Sequence, residues 1–172
     1  MKKNLTTANF VHRFLIQSFQ KHEAPTLFYQ ALHARIEVFV EHEGGSLDYE
    51  PDAYDADAWH WLVRTPNKRE TVAYVRAWPN DTESGCWHIS KLMVMPKYHD
   101  LDYGRHLLTH VIHKLKQRHQ VSEVRLLSTE KTRLFFEYLG FVPMGAAILH
   151  AGQPHIPLHL YVTTKRLPTT IK

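Results

Sequence analysis

A chain of 172 residues, 44% hydrophobic and 22% charged, has the length and composition of one folded domain and excludes a disordered or fibrous polymer. No apolar run approaches the roughly 20 residues of a bilayer span, and no h-region or cleavage site follows the basic start "MKKNLTT", so the expected location is the cytoplasm. The single cysteine, Cys86, excludes an internal disulfide and a multi-cysteine metal site, while the net charge of +4 with 14 histidines favours an anionic partner.

Taken in chain order, "NFVHRFLIQSFQ" (9–20) fits two periods. Phe10, Phe14 and Ile16 suit a strand face; Phe10, Val11, Phe14, Leu15 and Phe19 suit a helix. "TLFYQALHARIEVFV" (26–40) reads as a helix, with Thr26 as N-cap after Pro25 and Leu27, Phe28, Ala31, Leu32 and Arg35 at helical spacing. Its β-branched end, "IEVFV", is expected to leave the helix. A loop rich in acids and glycine covers 41–58. "WHWLVRT" (59–65) and "TVAYVRAW" (71–78) flank the turn "PNKRE" and form a hairpin, and "NDTESG" (80–85) turns into the strand "CWHISKLMVM" (86–95), which Pro96 ends. A helix over 103–119, a strand over 123–128 and a helix over 129–140 with Gly140 as C-cap follow. The rest alternates like two strands about Ala151-Gly152. The order β(α)αβββαβαββ predicts a single α/β or α+β domain over 1–172 with a mixed sheet.

His106, His110 and His113 share one meridian of the 103–119 helix, opposite Leu107, Leu108, Val111, Ile112 and Leu115. The leucine side is expected on the sheet and the histidine stripe in solvent, without a metal. Trp59, Trp61, Trp78 and Trp87 fall on strands, in the core or a cleft wall. Cys86 lacks a His/Asn partner motif, so it is not read as a nucleophile. Basic residues group only at Lys114, Lys116 and Arg118 and at Lys165 and Arg166, without the aromatic interleaving of a single-strand binder, so no nucleic-acid partner is expected.

Four segments stand in a telling order: "FYQALHARIEVFV" (28–40), "DADAWHWLV" (55–63), "FFEYLGFVPMG" (135–145) and "GQPHIPL" (152–158). Between them a strand ends in "V-x-P" (94–96), a loop closes on Gly104, and helix, strand and helix follow. In this the chain resembles the GCN5-related N-acetyltransferase (GNAT) superfamily, and within it the ElaA-like branch. The resemblance implies an α/β (α+β) fold, a mixed, mostly antiparallel sheet flanked by helices, with splayed central strands. It implies an acyltransferase that moves an acetyl group from acetyl-CoA to an amine of a small molecule or peptide. The pantetheine arm would pair with the strand carrying Leu92, Met93 and Val94, the Met93 amide would face the thioester oxygen, and the amides of His99, Asp100, Leu101, Asp102, Tyr103, Gly104 and Arg105 would meet the pyrophosphate.

Two positions depart from the family pattern. Asp102 replaces the first glycine of the phosphate loop, where it tolerates left-handed dihedrals and can cap the helix, but brings a carboxylate near phosphate. Phe136 stands beside the cofactor where a tyrosine often protonates the departing thiolate; Tyr138, two residues on, points elsewhere. Base candidates are Glu41, Glu43 and His88, with Ser90 on the same strand, whereas His60 and His155 read as structural histidines. A degenerate member that binds CoA or regulates without efficient catalysis stays open beside the enzyme, and the C-terminal edge strands could pair two copies into a homodimer.

Overall fold

The computed structural model describes residues 6–162; Lys165 and Arg166 lie outside the described residues. The ambiguous stretch at the start holds both of its readings in succession. Helix α1 (Thr7–Arg13) opens with the Thr6 hydroxyl accepting from the Asn9 amide, and Phe14 turns extended to start strand β1 (Leu15–Gln20). Helix α2 (Pro25–Arg35) begins one residue before the expected cap. Pro25 takes the first position, where its missing N–H is no loss, and Ala24 caps without a side-chain bond. The "IEVFV" segment does not leave the helix. It continues as a π turn, Ile36–His42, in which the Glu43 amide reaches back five residues to the Val38 carbonyl at 3.0 Å. The β-branched residues stay helical because Val38 and Phe39 pack on the sheet beneath α2.

Strands β2 (Trp59–Arg64), β3 (Thr71–Pro79), β4 (Cys86–Val94), β5 (Glu123–Ser128), β6 (Val142–Pro143), β7 (Ile148–His150) and β8 (Gln153–Tyr161) complete the sheet. The spatial order is β1-β2-β3-β4-β5-β8-β6, with β7 paired to β8. Among these pairs β4–β5 alone is parallel, joined by helix α3 (Tyr103–His119); helix α4 (Glu130–Tyr138) leads from β5 to β6. The sheet is thus mixed and mostly antiparallel. Leu139 caps α4 and Gly140, just past it at φ +91°, supplies the left-handed residue on which the chain turns. Among the described residues no helix is long and apolar enough to cross a membrane.

The sheet buries both faces. One carries Trp61, Val63, Ala73, Val75, Trp87, Ile89, Val124 and Leu126 against α1 and α3, whose Leu107, Leu108, Val111 and Leu115 point inward as their spacing predicts. The other carries Phe19, Leu62, Tyr74 and Met93 under α2. The histidine stripe is a correction. His106 is buried, bonded to the Thr7 hydroxyl at 3.0 Å and stacked on Phe10, because α1 lies across that side of α3. His110 is half-buried and only His113 of the three is exposed.

Two irregularities shape the middle of the sheet. Parallel pairing of β4 and β5 covers only Cys86 to His88 against Glu123 to Arg125, after which the strands part. On the other flank of β4 a bulge interrupts the ladder between the Arg76–Ser90 and Tyr74–Met93 rungs, where Lys91 and Leu92 face the single residue Val75. Lys91 takes up the extra length at φ +55°.

Candidate active site

The gap opens at the carboxyl ends of β4 and β5, where α3 and α4 also begin. Strand parity decides which backbone groups enter it. The Met95 amide donates to Val72 at 2.9 Å, so Met95, and with it Met93 two residues earlier, turns its polar groups toward β3. This corrects the expectation for the Met93 amide, which is spent on Tyr74's strand. The groups that face the gap belong to Leu92 and Val94. Accordingly the Val94 carbonyl is reached from outside the ladder, by Nε2 of His99 at 2.7 Å.

Past β4 the chain makes a 3-10 turn, Pro96–Leu101, which contains His99, Asp100 and Leu101. Asp102 then adopts φ +58° and ψ +18°, the left-handed geometry glycine usually supplies. The first α-type bond of α3 runs from the His106 amide to the Asp102 carbonyl at 3.2 Å. The amides of Tyr103, Gly104 and Arg105 therefore precede the helical ladder and are directed at the helix mouth, the arrangement that receives an anion. Asp102 does not cap the helix; its exposed carboxylate accepts from Arg105 Nη2 at 3.0 Å, which offsets its charge at the mouth. The Tyr103 ring points away into the core, against Phe10 and Phe14.

A Cβ at Gly104 would lie 3.5 Å from Val94 Cγ2 and 3.7 Å from Phe135 Cζ, so β4, α3 and α4 converge around this glycine. Phe135, which the sequence did not single out, thus borders the cradle. Phe136 lies in the core with its ring edge-on to Phe141, and Tyr138 is 85% exposed. The other hydroxyl of α4, Thr132, is bonded to Ser128 and Thr129 at the start of the helix.

On the α2 face stands a network the sequence did not reveal. Arg35, with no exposed surface, binds Glu50 through Nε at 2.6 Å and Asp55 through Nη1 at 2.6 Å. Arg76 binds the same Asp55 oxygen at 2.6 Å, both carboxylate oxygens of Asp52, and Ser90 Oγ at 2.8 Å. Lys91, thrown outward by the bulge, closes the set on Glu50. Three acids of the 41–58 loop are therefore neutralised by three bases. Burial alone would raise the Asp55 carboxyl, yet the hydrogen bond and charge of Arg35, with Arg76 behind it, hold it at about 2. The one sequence signal was Arg35 within the apolar stripe of α2.

His60 is sealed beside this network. Its Nε2 donates to the Asp55 carbonyl at 3.2 Å and its Nδ1 accepts from the Tyr74 hydroxyl at 2.6 Å, the structural role expected of it. Burial pushes its pKa down to about 4 from 6.5. Between those values the unfolded chain takes up a proton that the native imidazole refuses, so stability is complete above about pH 6.5 and is lost as pH falls toward 4. Urea unfolding from pH 7 to 4 should show a slope of up to about 1.4 kcal/mol per pH unit. His60→Gln should flatten that limb; an unchanged slope would place the proton uptake elsewhere.

Of the base candidates, Glu41 and Glu43 are exposed at the end of the π turn. His88 is half-buried on the last paired rung, accepts from Asn80 Nδ2 at 3.1 Å and stacks on Trp78, which stacks on Tyr54. Burial lowers its pKa. Beyond the closed end of the gap, Glu83, Cys86 and Glu123 lie close together, but Arg125 already grips both carboxylates, and burial raises the Cys86 thiol.

With this geometry in place, the chain matches the family model of the Acetyltransferase (GNAT) family over residues 20–141. UPF0039 protein C11D3.02c of Schizosaccharomyces pombe is 28% identical over 112 residues, 64% of this chain and 73% of that protein. An acyl-CoA N-acyltransferase from Pseudomonas aeruginosa superposes with a TM-score of 0.74 at 19% identity, over 85% of this chain and 98% of that one. Escherichia coli ElaA superposes at 0.73 with 23% identity, over the same shares of 85% and 98%.

Proposed function

This chain belongs to the acetyltransferase (GNAT) family, and on that footing we propose that it transfers an acetyl group from acetyl-CoA directly to the amine of a small molecule or peptide. The observation that carries the reading is the gap itself. A parallel pair parts after three rungs, and the strand edge it exposes leads straight to the N-terminal amides of α3, which precede its helical ladder. A pantetheine arm lying beside β4 would bond Leu92 and Val94 as an added strand does, with His99 yielding the Val94 carbonyl. A Leu92 or Val94 amide would then stabilise the oxyanion as the amine adds to the thioester carbon. The amides of Tyr103 to Arg105 would meet the pyrophosphate.

When the C–S bond breaks, the CoA thiolate leaves without a proton from Phe136. A thiol pKa near 8.5 makes it an adequate leaving group, with water as the proton source. Titration calorimetry with acetyl-CoA is the test, and no binding at millimolar concentration would overturn the reading. The family member that binds without efficient turnover is separated from it by CoA release with amine acceptors, at a rate above that of an Asp102→Arg control.

Asp102→Gly bears on the loop directly. It removes a carboxylate from the helix mouth and frees Arg105, but the exposed pair it breaks is worth no more than about 1 kcal/mol. Acetyl-CoA should bind about two- to fivefold tighter in calorimetry. Unchanged affinity would show that the carboxylate is turned away from the phosphates.

A further inference from the structure

The β7–β8 hairpin supplies a group that the acyltransferase reading needs and does not yet contain. Strand β8 pairs with β5 up to the Ser128–Ile156 rung, so the next residue, His155, stands just beyond the carboxyl end of β5, at the open end of the gap. Val124, Leu126 and Leu158 point into the α3 core; by alternation Pro157 and His155 rise on the opposite face, the one carrying Tyr74 and Arg76. The hairpin register, Ile148 against His155 and His150 against Gln153, sets His150 on the same side, and the two imidazoles meet edge to face with centroids 5.2 Å apart. Lys91, Asp52 and Arg76, from the bulge, the acidic loop and β3, are all near enough to bias the charge of His150. The hairpin therefore looks across the open gap toward the bulge of β4.

We propose that His155, through Nε2, is the base that takes the proton from the acceptor ammonium during acyl transfer. The inference rests on the acyltransferase reading above. Its chemistry is fixed by one bond: Nδ1 of His155 lies 3.0 Å from the Gln153 carbonyl. A carbonyl only accepts, so Nδ1 carries the proton and the lone pair is on Nε2. Glu41 and Glu43 stand exposed to solvent at the end of the π turn, and the buried and half-buried basic groups of this face are occupied. Both nitrogens of His60 are bonded, Nε2 of His88 accepts from Asn80, and Glu50, Asp52 and Asp55 are held by Arg35, Arg76 and Lys91. Partial burial, then the charges of His155 and Lys91, lower the pKa of His150.

The protons balance. The ammonium gives one proton to Nε2, and the free amine forms the C–N bond. The C–S bond breaks with its electron pair on sulfur, and the second amine proton passes to the thiolate by way of water. The products are the N-acyl amine, CoA as the thiol, and an imidazolium that returns its proton to solvent.

The test compares two kinds of nucleophile with acetyl-CoA as donor near neutral pH: primary alkylamines, which are protonated there, and hydroxylamine, which is not. His155→Asn keeps a donor to the Gln153 carbonyl and removes the base, and His155→Gln serves as the second variant. In both, kcat for the alkylamines should fall about 100-fold or more, kcat for hydroxylamine should change little, and acetyl-CoA affinity in calorimetry should be retained. Equal losses for both nucleophiles, or no loss for the alkylamines, would overturn the role of His155 while leaving the acyltransferase reading intact. Absence of CoA release by the wild-type protein with every nucleophile would overturn that reading and this inference with it.

Discussion

Replacing Asp55 with alanine is expected to lower the free energy of unfolding by about 3–5 kcal/mol, the cost of removing one partner from a buried ion network. Asp55 is fully buried and one of its oxygens is shared by Arg35 and Arg76, each at 2.6 Å. Without it the two guanidinium groups face each other, with Glu50 and Asp52 as their remaining counter-charges. Their hydration cannot return, because α2 and the 46–58 segment close over them. Urea unfolding at neutral pH should show a lower midpoint at unchanged slope. The comparison is Glu70→Ala, which breaks a solvent-screened pair with Lys97 at 3.2 Å and should cost little. A loss at Asp55 no larger than at Glu70 would mean that solvent reaches the arginines. Asp55→Asn keeps the shape but not the charge and should fall between the two.

The same network shows where sequence reading stops. The mixed sheet, the 103–119 helix and the 123–128 strand were legible, because each is a run with one period bounded by its own turn residues. The left-handed turn at position 102 was legible too, since aspartate is among the few residues that tolerate it. What was not legible depends on contacts between distant segments. Periodicity put His106 in solvent, but α1 arrives from a stretch that fitted helix and strand equally and covers it. The 41–58 stretch read only as a loop rich in acids, and only the fold brings Arg35, 15 to 20 residues away, and Arg76 onto them. Strand parity moved the oxyanion candidate from Met93 to its neighbours, because the register of β3 against β4 is set by a bulge that no local pattern announces. His155 was read as structural from its strand position, and it does bond its own hairpin. The same bond leaves its second nitrogen free at the open end of the gap.

Substitution at Gly104 should move stability and binding in opposite directions, which separates a cradle from ordinary packing. Gly104 sits in the first turn of α3 and its φ lies outside the left-handed region, so a side chain brings no backbone strain there. Its Cβ would make ordinary contacts with Val94 and Phe135. Gly104→Ala should therefore stabilise the protein by about 0.5–1 kcal/mol through helix propensity. Gly104→Leu should fold as well, but its branches would fill the space where the Val94 edge of β4 meets the α3 amides. A pyrophosphate held at about 3 Å from those amides tolerates no intervening methyl groups. Acetyl-CoA affinity should fall by about 100-fold or more for leucine, equivalent to roughly 2.7 kcal/mol, and only modestly for alanine. Calorimetry beside thermal unfolding reads both quantities on one sample. If leucine binds acetyl-CoA as tightly as glycine, the phosphates do not approach α3 at its mouth, and the gap between β4 and β5 must be entered from another side.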